Sequence, residues 1–335
     1  MPLPELELIR RIRRLAKPRG RVPQSLSRAR RGIRAPRLGA NLGEAGHGIG
    51  DDCAVLNIPR GHDMLVTTDF SLEGIHFRRE WHPADSVGHR CLARGLSDIA
   101  AMGGTPHSAF LSLALPADLP QRWADDFLRG LLKLARKYKV QLAGGDTAQS
   151  PNGVLADIIV IGSVPSGKAV LRSGARAGDI LYVSGTLGAS VATLQKLRSG
   201  KKLWTAQHIR HFYPDPHIAL GRYLREKKLA TALIDTSDGL STDLRHICDE
   251  SKVGAIVEAA ALPALPGDNG LQFALHGGED YELLFTAPPN RRLPAKIAGV
   301  PITRIGAITR GRKITLRTPD GQSQPLLPAG WQHFA

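Results

Sequence analysis

Six short acidic motifs punctuate this chain: Gly50-Asp51-Asp52, Thr67-Thr68-Asp69, Ser97-Asp98, Gly144-Gly145-Asp146-Thr147, Asp235-Thr236-Ser237-Asp238-Gly239 and Gly277-Gly278-Glu279-Asp280. Taken singly, an Asp beside Gly, Ser or Thr is an ordinary turn former or helix cap. As a set they say more. Five of the six place a carboxylate directly after an apolar, strand-like run or at a Gly-rich turn. Those are the positions where α/β folds assemble sites from distant segments. Carboxylates converging there repel one another by about a kcal/mol or more per close pair, and bound cations relieve that repulsion. Hard cations with oxygen ligands, Mg²⁺ above all, fit Asp together with Thr or Ser hydroxyls, whereas zinc would call for clustered His and Cys. Mg²⁺ commonly reaches a protein through a few carboxylates plus substrate phosphates, so the pattern points to nucleotide chemistry.

The familiar nucleotide motifs are absent or broken. Gly162-Ser163-Val164-Pro165-Ser166-Gly167-Lys168-Ala169 fits G-x-x-x-x-G-K, but Ala169 stands where a Ser or Thr hydroxyl would hold Mg²⁺. Pro165 and Arg172-Ser173-Gly174 also spoil the helix start that a P-loop needs. Gly46-x-Gly48-x-Gly50 precedes acids rather than a helix, unlike a dinucleotide fingerprint. Neither kinase catalytic-loop nor Ser-hydrolase signatures occur.

The elements that must position these acids read as a mixed α/β or α+β chain. Leu3, Leu6, Ile9, Ile12 and Ala16 recur at helical spacing, predicting an amphipathic helix over 3–16 with an Arg-rich outer face. Residues 17–46 are rich in Pro, Gly and Arg without periodicity and read as a basic connector. Strands are expected at 63–68, 108–115, 154–164, 179–183, 254–258 and 281–286. Helices are expected at 83–102, 120–138, 187–198, 216–228 and 239–251, with Pro83 and Pro120 in first turns. The turn-rich stretch from Val164 to Gly178 suggests a boundary between domains at 1–166 and 167–335.

Composition narrows the class. No apolar run approaches the roughly 18–20 residues of a membrane span, and the start lacks the order of a signal peptide, so a cytoplasmic location is expected. Cys53, Cys91 and Cys248 are scattered, which predicts neither disulfides nor a zinc knuckle. The net charge of +15 is concentrated: residues 1–40 hold eleven Arg and one Lys against two Glu, a net +10, leaving +5 for the other 295. A basic arm of this kind is ordinarily a water-exposed tail, and neither nucleic acid nor membrane is expected as a partner.

With these residues in view, the chain resembles the thiamine-monophosphate kinase family of the aminoimidazole-ribonucleotide-synthetase-like superfamily. The match runs in order through Glu5-Leu6-x-Leu8-Ile9, Gly48-Ile49-Gly50-Asp51-Asp52, Thr67-Thr68-Asp69, His76-Phe77 and Leu96-Ser97-Asp98-Ile99-Ala100-Ala101-Met102-Gly103. It continues through Gly144-Gly145-Asp146-Thr147, Arg172-Ser173-Gly174-Ala175, Asp235-Thr236-Ser237-Asp238-Gly239-Leu240 and Gly277-Gly278-Glu279-Asp280-Tyr281-Glu282 to Trp331. The resemblance implies a two-domain α+β fold whose N-terminal domains pair into a β-barrel in a homodimer. It implies ATP and thiamine monophosphate as substrates and several Mg²⁺ ions. Asp52, Thr67, Thr68, Asp69, Asp98, Asp146, Asp235 and Asp238 would be metal ligands. Gly145, Asp146, Arg172 and Ser237 would contact ATP, and His76, Glu279 and Trp331 would face thiamine monophosphate.

A phosphate acceptor is already anionic at neutral pH, so no general base is expected: catalysis reduces to positioning and charge neutralisation. Rival readings are another ATP-dependent synthetase of the superfamily, of selenophosphate or aminoimidazole ribonucleotide type, and nucleic-acid binding through the basic arm. A selenophosphate enzyme would carry a reactive Cys in a mobile N-terminal segment, whereas Cys53 follows Asp52 directly. The basic connector is longer than the family pattern, and no tyrosine, Tyr138 included, is assigned to adenine.

Overall fold

The computed structural model describes residues 5–16, 56–201, 203 and 205–332. The basic connector, the Gly50-Asp51-Asp52 motif and Cys53 lie outside the described residues.

Helix α1 (Glu5–Ala16) opens the chain, as its periodicity predicts, with Leu8 and Ile12 buried. A sheet-and-helix unit follows: β1 (His62–Leu72), α2 (Ala84–Ala101), β2 (Thr105–Pro116), α3 (Gln121–Tyr138), β3 (Gln141–Ser150) and β4 (Leu155–Pro165). Its strands lie in the order β1-β4-β2-β3, with β2 and β3 parallel and the other pairs antiparallel. The sheet is open, with β1 and β3 at its edges.

Strand β1 shows the period-2 alternation of a sheet covered on one side only. Leu65 and Ser71 are buried and Thr67 and Asp69 half-buried, whereas Met64, Val66, Thr68 and Phe70 are exposed. The covered face packs under α2, a helix with almost every residue buried. Helix α3 packs on α2 through Phe127, Leu128, Leu131 and Leu134, each contributing about 1.5–3 kcal/mol of burial. Glycines set that approach. A Cβ on Gly88 would lie 1.9 Å from the Phe127 carbonyl oxygen, and one on Gly130 would lie 1.8 Å from that of Asp85.

The second half carries β5 (Ile180–Ser184), α4 (Ala189–Arg198), α5 (Ile209–Phe212), α6 (Ile218–Glu226), β6 (Ala232–Asp235), α7 (Leu240–Ser251) and β7 (Gly254–Glu258). After these come α8 (Gly270–His276), β8 (Leu283–Ala287), β9 (Lys296–Ile297), β10 (Val300–Thr309), β11 (Ile314–Arg317) and β12 (Ser323–Pro325). They form a second sheet in the order β12-β11-β7-β10-β5-β8-β6, with β9 paired to β10. Helix α6 reaches back to α2, and Ile218, Leu220 and Leu224 join the core of the first half. The two halves therefore share packing along α2.

Three expectations need correction. Strand β1 runs to Leu72 rather than ending before Asp69, because its pairing with β4 continues to Leu155. The polar Gln141–Ser150 stretch is a strand, held by its parallel ladder to β2. Asp146 lies within a strand and not in a Gly-rich turn, whereas Asp98 lies inside α2, as the helix expected at 83–102 implies. The G-x-x-x-x-G-K segment ends β4 and leads into a turn, in keeping with its rejection as a P-loop.

Candidate active site

Alternation on β1 turns Thr67 and Asp69 toward α2, where Asp98 waits on the facing side of the helix. Thr67 donates its hydroxyl to Asp98, and Asp69 lies within hydrogen-bonding reach of the same carboxylate. One residue earlier on α2, Ser97 Oγ donates to Asp235 Oδ2 at 2.6 Å, which brings in the C-terminal end of β6. Three acids far apart in sequence thus meet at one place. Burial and the charge of Asp98 push Asp69 up to about 7, and the same two causes push Asp235 up to about 7. Asp98 is raised as well, by burial first, while Thr67 and Arg172 pull it down. The electrostatic deficit is plain: these carboxylates lack the positive charge that would keep them ionised.

The turn from β6 into α7 carries Ser237 and Asp238, both half-buried. Asp243, buried in the first turn of α7, accepts from the Gly239 amide at 2.9 Å and fixes that turn. Burial and the charges of Asp235 and Asp238 raise its pKa well above the usual carboxylate range. Arg172 lies on a short 3₁₀ turn (Arg172–Gly174) held against β6 by the Leu233 amide on the Leu171 carbonyl, 3.2 Å. It is exposed, and its charge reaches both Asp98 and Asp235.

The Gly277–Glu282 loop closes the other side. Glu279 and Tyr281 both adopt left-handed backbone, φ 64° and 53°, each costing about 1–2 kcal/mol. Hydrogen bonds from the Glu279 amide to Ser237 O at 2.7 Å and from the Tyr281 amide to Thr236 O at 3.0 Å hold that shape. The Glu279 carboxylate is clasped by Arg90 at 2.7 Å and Arg94 at 2.6 Å. Burial alone would raise its pKa, but the two guanidinium groups override that and hold it far below the usual range. Arg94 also donates to the Phe70 carbonyl at 2.6 Å, so it ties this loop to β1. The neighbouring acids serve the scaffold. Asp280 accepts from the Gly188 and Ser190 amides at 2.6 and 3.1 Å, and Glu282 takes Ser184 at 2.5 Å, His217 at 2.8 Å and Arg210 at 2.9 Å.

Two further expected residues border this region. The Trp331 amide bonds the Asp238 carbonyl at 3.0 Å, which seats the C-terminal stretch on the β6–α7 turn with the indole 47% exposed. His76 Nδ1 accepts from the Leu72 amide at 3.0 Å, so its ring sits just past the end of β1.

Asp146 is not part of the Asp69–Asp98–Asp235 group. It is exposed on β3 and registers with Ser112 on β2, which registers with Asp157 on β4 and then Phe70 on β1. Two strand spacings separate Asp146 from Asp157, about 10 Å. Gly145 beside it has φ 145°, and a Cβ there would lie 1.9 Å from the Leu111 carbonyl oxygen, so the backbone comes closer to β2 than any side chain permits. Thr68, facing the same side, donates to Asp157 Oδ1 at 2.7 Å. Asp52 lies outside the described residues. Sequence reasoning missed Asp157, Asp243, Arg90 and Arg94. The available signal was a charge interrupting an apolar run: Asp157 within Leu155–Val164, and two Arg four residues apart among the small and apolar residues at the middle of α2.

Among the described residues, no group of three or more His, Cys, Asp or Glu is arranged to hold a metal ion by itself. Mg²⁺ keeps several waters and binds through one or two carboxylates plus phosphate oxygens. The all-oxygen donors Asp69, Asp98, Asp235 and Thr67, with carboxylates short of positive charge, fit such an ion, and Thr68 offers a hydroxyl on the outer face of the sheet. Also among the described residues, no helix is long and apolar enough to cross a membrane.

Comparisons with known proteins agree with this layout. Residues 50–164 match the AIR synthase related protein, N-terminal domain, and residues 176–318 match the AIR synthase related protein, C-terminal domain. The chain is 40% identical over 319 residues to thiamine-monophosphate kinase of Escherichia coli K12, covering 90% of this chain and 95% of the relative. It resembles the crystal structure of thiamine-monophosphate kinase from Stenotrophomonas maltophilia K279a, with TM-score 0.78, 33% identity, and 97% and 99% of the two chains covered. It also resembles AaThiL complexed with AMPPCP and TMP, with TM-score 0.74, 33% identity, and 82% and 89% covered. Fold and site therefore define a two-domain α+β protein of the AIR synthase related class. Within that class, the chain belongs to the thiamine-monophosphate kinase family.

Proposed function

We infer that this protein transfers the γ-phosphoryl group of ATP to thiamine monophosphate, giving thiamine diphosphate and ADP. One observation carries the reading: Asp69, Asp98 and Asp235 converge from three elements with Arg172 beside them, in a chain of this family. The relative complexed with AMPPCP and TMP supports the same pair of substrates.

Asp52, Thr67, Thr68, Asp69, Asp98, Asp146, Asp235 and Asp238 are the residues we propose for Mg²⁺. Bound there, Mg²⁺ would neutralise charge on the phosphates and on the transferred group. Gly145 and Asp146 would receive ATP on the exposed part of β3, with Ser237 and Arg172 on the opposite side; the Arg172 fork suits phosphate oxygens. Thiamine monophosphate would lie toward His76, Glu279 and Trp331. The Trp331 face would attract the cationic thiazolium, and Arg90 and Arg94 hold the Glu279 carboxylate in place beside it. The acceptor phosphate attacks as an anion, so no side chain has to remove a proton. The protein's contribution is to hold two anions in line and exclude competing geometry.

We also propose that the chain divides into an ATP-binding and pairing domain, 1–166, and a C-terminal α/β domain, 167–335. Pairing would use the bare face of the first sheet, where Met64 at 54%, Val66 at 57% and Phe70 at 54% exposure form an apolar strip unusual on a monomer. Two such faces closing on each other would form the dimeric barrel. Supply of ATP fits a cytoplasmic enzyme, and neither membrane nor nucleic acid enters the reaction.

Incubation with ATP, MgCl₂ and thiamine monophosphate, followed by chromatography, tests the reading. Equimolar thiamine diphosphate and ADP are expected. ADP with inorganic phosphate and no thiamine diphosphate would overturn it.

A further inference from the structure

Adjacent residues on a strand point to opposite faces, so Thr67 and Thr68 cannot share one acceptor. Each nonetheless has its own carboxylate. Thr67 donates to Asp98 under the sheet, and Thr68 donates to Asp157 Oδ1 at 2.7 Å on the outer side. A hydroxyl has one proton and two lone pairs. Once the proton is committed to a carboxylate, both lone pairs are left for a cation, and a charge-assisted bond makes the oxygen a better donor to it.

The setting of Asp157 argues against a passive role. Its neighbours on this face along β1 and β4 are apolar apart from Thr68, with Met64, Val66, Phe70 and Leu155 in exposed positions and Ile159 and Ile161 half-buried. A carboxylate among them is costly to cover unless it has an engaged partner. Asp157 lies next to Phe70 in register, one residue from Asp69, and its charge reaches Asp69. Through Ser112 it shares a row with Asp146, so it stands between the two acidic groups of the proposed nucleotide site.

We propose that Asp157 is a positioning residue for the phosphoryl-transfer site: by accepting the Thr68 proton it fixes that hydroxyl and leaves its lone pairs free for the cation that would accompany ATP. The proposal rests on the reading of Thr68 as a cation ligand. It predicts that the two residues act as one unit.

The test measures Mn²⁺ binding, as the loss of free-ion electron paramagnetic resonance signal, in the presence of AMPPCP, with melting temperature followed in parallel. The variants are Asp157→Val, Asp157→Asn, Thr68→Val and the double Thr68→Val/Asp157→Val. Residues that orient a metal ligand typically change affinity 10- to 100-fold. Asp157→Val and Thr68→Val are each expected to weaken binding about 10-fold, the double variant no further, and Asp157→Asn, which keeps an acceptor, about 3-fold. If Thr68→Val weakens binding while both Asp157 variants bind as wild type, Asp157 has no such role and the ligand reading survives. Losses that multiply in the double variant would also overturn the proposal. Wild-type binding by Thr68→Val would remove the proposal together with the role of Thr68. Should Asp157→Val fail to fold, Asp157→Asn against Thr68→Val decides it.

Discussion

Replacing Asp235 by Asn should stabilise the metal-free protein while abolishing its activity. Asp235 is 3% exposed, and burial with the charge of Asp98 raises its pKa from 3.8 to about 7. At 1.36 kcal/mol per unit, ionising it in the folded protein is disfavoured by about 4 kcal/mol. Asp69 and Asp98 bear the same repulsion and relax when one charge goes, so the net gain for the variant should be about 2 kcal/mol. The Ser97 hydroxyl keeps its acceptor, because an amide oxygen takes the place of the carboxylate oxygen. Between the ordinary carboxylate value and pH 7, the folded protein holds a proton on Asp235 that the unfolded chain has lost. Wild-type stability therefore falls as pH rises through that window, and the Asn variant escapes the fall. In EDTA, thermal or urea denaturation should find the variant ahead by a few degrees at pH 8, with the gap closing as the pH falls toward 4. A variant less stable than wild type at pH 8 in EDTA, or a gap independent of pH, would refute the reasoning.

Other perturbations test separate parts of the site. Arg94→Ala leaves Glu279 short of one partner and strands the Phe70 carbonyl, so urea denaturation should record a loss of about 3–5 kcal/mol. Gly145→Ala forces a Cβ into the Leu111 carbonyl at a φ of 145°, and calorimetry with AMPPCP should find nucleotide affinity reduced at least 10-fold. Val66→Asp places a charge in the centre of the bare sheet face; on the proposed pairing, sedimentation velocity should find the wild type as a dimer and this variant as a monomer.

Long periodic elements could be read from the residues alone. Helices expected at 83–102 and 120–138 are Ala84–Ala101 and Gln121–Tyr138, because each has apolar residues at helical spacing over 18 residues behind a proline, a combination that admits few alternatives. Strands held by context could not be read. Gln141–Ser150 has two glycines and mostly polar side chains, and only its ladder to β2 makes it a strand. Ala232–Asp235 is four residues long, too short for a period to emerge.

The site divides the same way. Asp69, Asp98 and Asp235 stood out by type and spacing, yet nothing in one dimension said that Ser97 would carry Asp235 to the neighbour of Asp98. Asp157 was hidden by its apolar surroundings. The clasp on Glu279 depends on Arg90 and Arg94 facing a loop that lies 185 residues beyond Arg94.

The most direct measurement of the central claim is anomalous diffraction from a crystal grown with Mn²⁺, AMPPCP and thiamine monophosphate. Peaks should lie at about 2.0–2.3 Å from carboxylate oxygens of Asp98 or Asp235, bridging to phosphate oxygens of the nucleotide. Mn²⁺ bound only on phosphates, with Asp69, Asp98 and Asp235 untouched, would contradict it.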